Sequence, residues 1–186
     1  MKLPNILTIA RLLLIPIIAF LLYSNKPNYI LISTILFFFA ALSDWADGII
    51  ARRFNQKSNF GILFDPLADK MLILTILLVF VDLKIIPLWV ILVLLFRELL
   101  VTGIRQVCST KDEVVGANWM GKTKFIMQSA VIIYLHIVLY FMLLGQKNHI
   151  FNKVVAYYII VLLTAISLLF ALNFLFWHRK KILSNI

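Results

Sequence analysis

The chain has 186 residues, of which 63% are apolar and only 14% charged, and its formal net charge is +10. A soluble domain carries about 45–50% apolar and about a quarter charged residues, so this balance excludes an ordinary water-soluble domain and makes lipid the expected solvent for most of the surface. A single cysteine, Cys108, excludes an internal disulfide, and in so apolar a chain the positive charge points to anionic lipid at the cytoplasmic face rather than to nucleic acid.

A helix that crosses a bilayer needs about 20 predominantly apolar residues. Six stretches qualify: residues 6–23, 29–50, 62–81, 86–107, 125–144 and 154–177. They lack the alternation of barrel strands, so the expected fold is all-α, a polytopic integral membrane protein with six transmembrane helices. Lys2 and the apolar run 12–22 have the shape of a signal peptide. No small-x-small site follows at Tyr23-Ser24-Asn25-Lys26, so the segment is expected to be retained. An even number of spans puts both termini on one side. That side also holds the segments near 52–57 and 105–124, and it carries 14 of the 18 lysines and arginines; Lys26, Lys84, Lys147 and Lys153 lie opposite. The asymmetry makes both termini cytoplasmic. No repeat or flexible linker divides residues 1–186, which read as one domain.

Four of the eight acids fall in one window at the cytoplasmic ends of spans two and three: Asp44, Asp47, Asp65 and Asp69. Ionisable groups at that depth are costly and point to function. Asp44 and Asp47 are three apart and share a helix face, as do Asp65 and Asp69, four apart. Spans two and three run in opposite directions, so the two pairs can meet. Four converging carboxylates repel unless a cation joins them, and an all-oxygen set selects magnesium, manganese or calcium. The window contains no cysteine or histidine, which argues against structural zinc. Gly48 and Gly61 leave room for a close approach to the backbone. Ala51 lies one turn beyond Gly48, and Arg52 shares the face of Asp44 and can meet a diphosphate.

These residues spell Asp44-x2-Asp47-Gly48-x2-Ala51-Arg52-x8-Gly61-x3-Asp65-x3-Asp69. The pattern resembles the signature of the CDP-alcohol phosphotransferase family at all eight fixed positions. Leu3 to Arg11 is similar to the family's N-terminal segment. The motifs Phe64-Asp65-Pro66-Leu67-Ala68-Asp69-Lys70, Arg97-Glu98, Thr102-Gly103-Ile104-Arg105 and Gly121-Lys122-Thr123-Lys124 are similar to the branch whose acceptor is sn-glycerol 3-phosphate. The resemblance implies six transmembrane helices, a homodimer, and a polar cavity open to the cytoplasm and sideways to the bilayer. It implies a pair of divalent ions, Mg2+ or Mn2+, on Asp44, Asp47, Asp65 and Asp69, with Asp69 as general base. It implies that Asp44, Gly48, Ala51, Arg52, Ser58 and Gly61 face the CDP-linked lipid, CDP-diacylglycerol. The acceptor's own phosphate calls for a basic pocket, for which Arg105, Lys122 and Lys124 are the candidates.

Plainer roles compete. Asp65 before Pro66 has the form of a helix N-cap with proline at N1. Arg53 and Lys57 fit cytoplasmic anchors. Asn5, Thr8 and Arg11 fit a polar cap on the first helix, and Lys70 fits a snorkelling side chain. Arg97 and Glu98 fit an internal ion pair or a substrate contact. His136 fits a hydrogen-bonded packing residue, Cys108 an inert thiol, and Trp45, Trp89, Trp119 and Trp177 an interfacial belt. Two rival functions remain: the same chemistry on inositol phosphate, serine or phosphatidylglycerol, and a cation transporter. A transport pathway places acids at mid-bilayer or on both sides, whereas these four cluster on one.

Overall fold

A computed structural model of the protein describes residues 3–53, 59–108, 119–146 and 150–183. Among the described residues all regular structure is helical. The helices are α1 (Leu3–Tyr23), α2 (Pro27–Arg53), α3 (Asn59–Asp82), α4 (Leu88–Cys108), α5 (Trp119–Leu143) and α6 (Lys153–Leu183). Each corresponds to one of the six apolar stretches, with α4 starting two residues inside its stretch and α5 ending one residue short of its own. Two are long and apolar enough to cross a bilayer over their described residues: Thr123–Leu143, of mean hydropathy 2.0, and Lys153–Trp177, of mean hydropathy 2.6.

Local chemistry sets the helix ends. Lys84 takes a left-handed φ of 56° after α3, and Gly145 one of 68° after α5. The Ile85 amide reaches back to the Phe80 carbonyl at 2.9 Å, and the Lys84 amide to Val81 at 2.8 Å. Gln146 and Gly145 repeat this pattern on Phe141 and Met142. Both are Schellman closures, which satisfy carbonyls that the helix end would orphan. At the start of α6, Asn152 Oδ1 accepts the Val155 amide at 2.9 Å, an N-cap bond. The Phe141 and Phe151 rings stack at 5.0 Å, pinning α6 against the end of α5.

The helices pack in a ring, α1–α2–α5–α6–α4–α3 and back to α1, with α3 also meeting α5 across the middle. α1 packs more extensively on both α2 and α3 than those two pack on each other. The core runs through the ring: Ile18 and Leu22 of α1, Phe37 of α2, Ile76 and Phe80 of α3, and Leu135 of α5 are all buried. Large apolar residues such as Leu13, Phe20, Phe96 and Phe176 face outward, so the exterior is apolar as well. A contiguous apolar exterior suits lipid and not water.

His136 sits at the centre of this core, fully buried. Its Nδ1 donates to the Ile132 carbonyl at 2.9 Å, and its Nε2 meets Ser33 Oγ at 3.2 Å. The ring lies between Phe37 and Phe80. It is the packing residue that the sequence suggests. Trp89 and Trp177 are exposed near helix ends, as an interfacial belt requires. Two of the plainer readings are overturned. α3 begins at Asn59, six residues before Asp65, so Asp65 is not an N-cap and Pro66 is not at N1. Thr8 and Arg11 are buried at 0% and 1% exposure, so they form no solvated cap on α1.

Candidate active site

A set of charged and polar side chains links the helices. Arg11 lies in the first half of α1, Lys70 at the middle of α3, Ser43 and Thr102 in the second halves of α2 and α4, and Lys124 in the second turn of α5. Alternating helix direction brings these segments together, and their hydrogen bonds make the link specific.

The first group centres on Arg11. Its Nη1 donates to Asp69 Oδ1 at 2.5 Å, forming an ion pair between α1 and α3. Its Nη2 donates to Ser43 Oγ of α2 at 3.4 Å, and the Ser43 hydroxyl donates on to the Ala40 carbonyl at 2.9 Å. The Asp69 side chain keeps 23% exposure. Arg11 therefore touches the residue before Asp44 on one helix and the residue one turn after Asp65 on another.

The second group lies one residue further along α3. Lys70 Nζ donates to Thr102 Oγ1 of α4 at 2.8 Å, so this ammonium points inward to α4 rather than snorkelling to the interface. Glu98 Oε2 takes Arg97 Nη1 at 3.1 Å, and Lys124 Nζ of α5 bonds to the same oxygen. Arg97 Nε donates to the Ser167 carbonyl of α6 at 3.1 Å. Arg97 and Lys124 thus share the Glu98 carboxylate, while Lys70 reaches Thr102 on the same helix as Glu98. Arg97 and Glu98 do form the ion pair that the sequence suggests, and Lys124 joins it.

The other predicted site residues are placed by backbone alone. Asp44, Asp47, Gly48, Ala51 and Arg52 lie in the last turns of α2, Gly61 and Asp65 in the first two turns of α3, Arg105 near the end of α4, and Lys122 in the first turn of α5. All fall at the end of the bundle that holds Arg11 and Lys124. Their side chains, and all of Ser58 and Lys57, lie outside the described residues. Among the described residues no group of three or more histidine, cysteine, aspartate or glutamate side chains converges on a metal position. By its chemistry alone, the donor set of the signature, four carboxylates on α2 and α3, fits a hard divalent cation. The chemistry missing from the sequence reading is Arg11 as partner of Asp69. Its signal is a lone arginine inside an otherwise apolar stretch.

Comparison with known proteins identifies the family. The family described as CDP-alcohol phosphatidyltransferase matches residues 1–177. The protein of Bacillus subtilis (strain 168) named CDP-diacylglycerol–glycerol-3-phosphate 3-phosphatidyltransferase is 39% identical over 135 residues, which is 66% of this chain and 70% of that protein. Proteins of the same name from Rickettsia bellii (strain RML369-C) and Salmonella choleraesuis (strain SC-B67) are 37% and 33% identical. They match 68% and 72% of this chain, and 70% and 76% of their own lengths. A match over nearly the whole length, joined to an intact eight-residue signature, makes this chain a member of the CDP-alcohol phosphatidyltransferase family.

Proposed function

We propose that the chain transfers the phosphatidyl group of CDP-diacylglycerol to sn-glycerol 3-phosphate, releasing CMP and forming phosphatidylglycerol phosphate in phospholipid biosynthesis. The observation that carries this reading is the unbroken signature from Asp44 to Asp69 in a chain whose relatives bear the name of that reaction. All six helices would cross the cytoplasmic membrane as one domain spanning residues 1–186, with both termini and the active site on the cytoplasmic side. The lysine and arginine asymmetry supports this orientation. Only there can a soluble acceptor and a lipid head group reach the same carboxylates. A homodimer, as the family resemblance implies, is part of the reading.

The chemistry asks little of the protein beyond position and charge. The primary hydroxyl of the acceptor forms a bond to the phosphorus that bears the diacylglycerol, and the bond from that phosphorus to the bridging oxygen of CMP breaks. Asp69 accepts the hydroxyl proton as attack proceeds, because an alcohol is a weak nucleophile at neutral pH. Divalent ions, Mg2+ or Mn2+, held by Asp44, Asp47, Asp65 and Asp69 would neutralise the diphosphate and the departing CMP. Arg52 adds a fixed positive charge beside the diphosphate. Gly48, Ala51, Ser58 and Gly61 line its approach.

The acceptor's own phosphate calls for a basic pocket. Arg105, Lys122 and Lys124 are proposed for it, and the group that Lys124 forms with Arg97 and Glu98, beside the Lys70–Thr102 contact, supports a basic pocket there. Lys70 follows Asp69 directly, so a phosphate held at this group puts the acceptor's hydroxyl within a short molecule's reach of the general base. Isotope-labelled glycerol 3-phosphate supplied with CDP-diacylglycerol tests the reading. Label must enter the lipid phase in a product with the mass of phosphatidylglycerol phosphate. Label that stays in water while CMP is released would mean plain hydrolysis.

A further inference from the structure

We infer that Arg11 is a positioning residue for the active site: from α1 it fixes Asp69 on α3 to the α2 segment that carries Asp44 and Asp47. The inference rests on the proposed reaction only for its kinetic readout.

A membrane anchor does not explain this side chain. Anchoring arginines lie at helix ends with their heads at the interface. Arg11 instead lies inside α1 at 1% exposure, where an ionised group is costly unless its geometry is good. Nor does it serve one neighbour alone. Its two terminal nitrogens point to different helices, 2.5 Å from Asp69 Oδ1 and 3.4 Å from Ser43 Oγ. A planar guanidinium holds two acceptors at a fixed separation and angle, which an ammonium cannot do. α2 and α3 rest mainly on α1 rather than on each other. The relative placement of the aspartate-bearing segments is therefore set through α1, and Arg11 is the point at which α1 grips both.

Arg11→Lys is the informative variant, because it keeps the charge and removes the fork. A change in metal affinity then reports geometry and not a changed field. The purified variant in lipid nanodiscs is assayed for CMP release against both substrates. Binding of Mn2+ to substrate-free protein is followed separately by electron paramagnetic resonance. The expected result is a kcat lower by about 10–100-fold, the scale for misplacing reacting groups by about 1 Å. KM for either substrate should stay within about threefold, and Mn2+ binding should weaken by about tenfold. Ser43→Ala, which removes one arm and tolerates folding, should lower kcat by about threefold. If both variants melt at lower temperature yet keep wild-type kcat and Mn2+ binding, Arg11 is a packing pair and the inference is overturned. A wild-type protein that binds Mn2+ without releasing CMP would sink the proposed reaction, and the Mn2+ titration of Arg11→Lys alone would then decide the role of Arg11. A wild-type protein that binds no Mn2+ would overturn both.

Discussion

Asp69→Asn is the obvious test of a general base, and the structure predicts that it will also destabilise the protein. Asp69 is the carboxylate that faces Arg11, at 2.5 Å. Arg11 is 1% exposed and brings a guanidinium into the interior. Removing one partner of a buried pair costs about 3–5 kcal/mol, because the other charge is left uncompensated. The Asp69 side chain is 23% exposed, so water reaches this end of the pair and the low end applies, about 3 kcal/mol. For a chain of this length that lowers the melting temperature by about 6–12 °C. Removing both partners, as Arg11→Met with Asp69→Asn, takes away the charge that loses its Asp69 partner and should restore part of the loss. Activity should not return with stability: loss of a general base costs about 10²–10⁴-fold, and the double variant still lacks it. Melting is read by tryptophan fluorescence in detergent and activity by CMP release. Asp69→Asn melting with the wild type, or a double variant less stable than Asp69→Asn alone, would refute the ion-pair reasoning.

Three further outcomes are expected. Lys124→Ala should raise KM for glycerol 3-phosphate by about tenfold, the effect of one charge-assisted contact, and change KM for CDP-diacylglycerol little; steady-state kinetics against each substrate separates the two. His136→Ala should destabilise by about 2–4 kcal/mol through the cavity between Phe37 and Phe80, with kcat per folded enzyme unchanged. A large loss of kcat in soluble, folded protein would give His136 a role that its hydrogen bonds do not suggest. Lys84→Gly should raise the melting temperature by about 2–4 °C, since a non-glycine residue at φ 56° costs about 1 kcal/mol. An unchanged or lower melting temperature would count against the strain argument at that turn.

Hydrophobicity made the six helices legible, because each must present apolar surface both to its neighbours and to the exterior. The polar ends were less so. α2 continues to Arg53 and α6 to Leu183, past the apolar runs, and α3 begins at Asn59, before its apolar run. Hydropathy stops where a helix leaves the apolar phase, not where its backbone hydrogen bonds stop. In the candidate site, the spacing of Asp44, Asp47, Asp65 and Asp69 marks shared helix faces without any knowledge of packing. The pairing of Arg11 with Asp69 depends on the order of helices around the ring, which no local pattern encodes, and the two residues are 58 positions apart. The same holds for Glu98 between Arg97 and Lys124, of which only the adjacent pair could be read from the chain. What the sequence does carry is their anomaly. Arg11, Lys70, Arg97 and Glu98 are charged residues inside apolar stretches, and all four are engaged with other side chains.

The most direct test of the account is CMP release by purified protein given CDP-diacylglycerol, Mg2+ or Mn2+, and one acceptor at a time: glycerol 3-phosphate, inositol phosphate, serine or phosphatidylglycerol. The account predicts turnover with glycerol 3-phosphate alone, abolished by EDTA and by Asp69→Asn. Turnover with a different acceptor would contradict the assigned substrate while keeping the aspartate chemistry, and folded protein that releases no CMP with any acceptor would contradict the account itself.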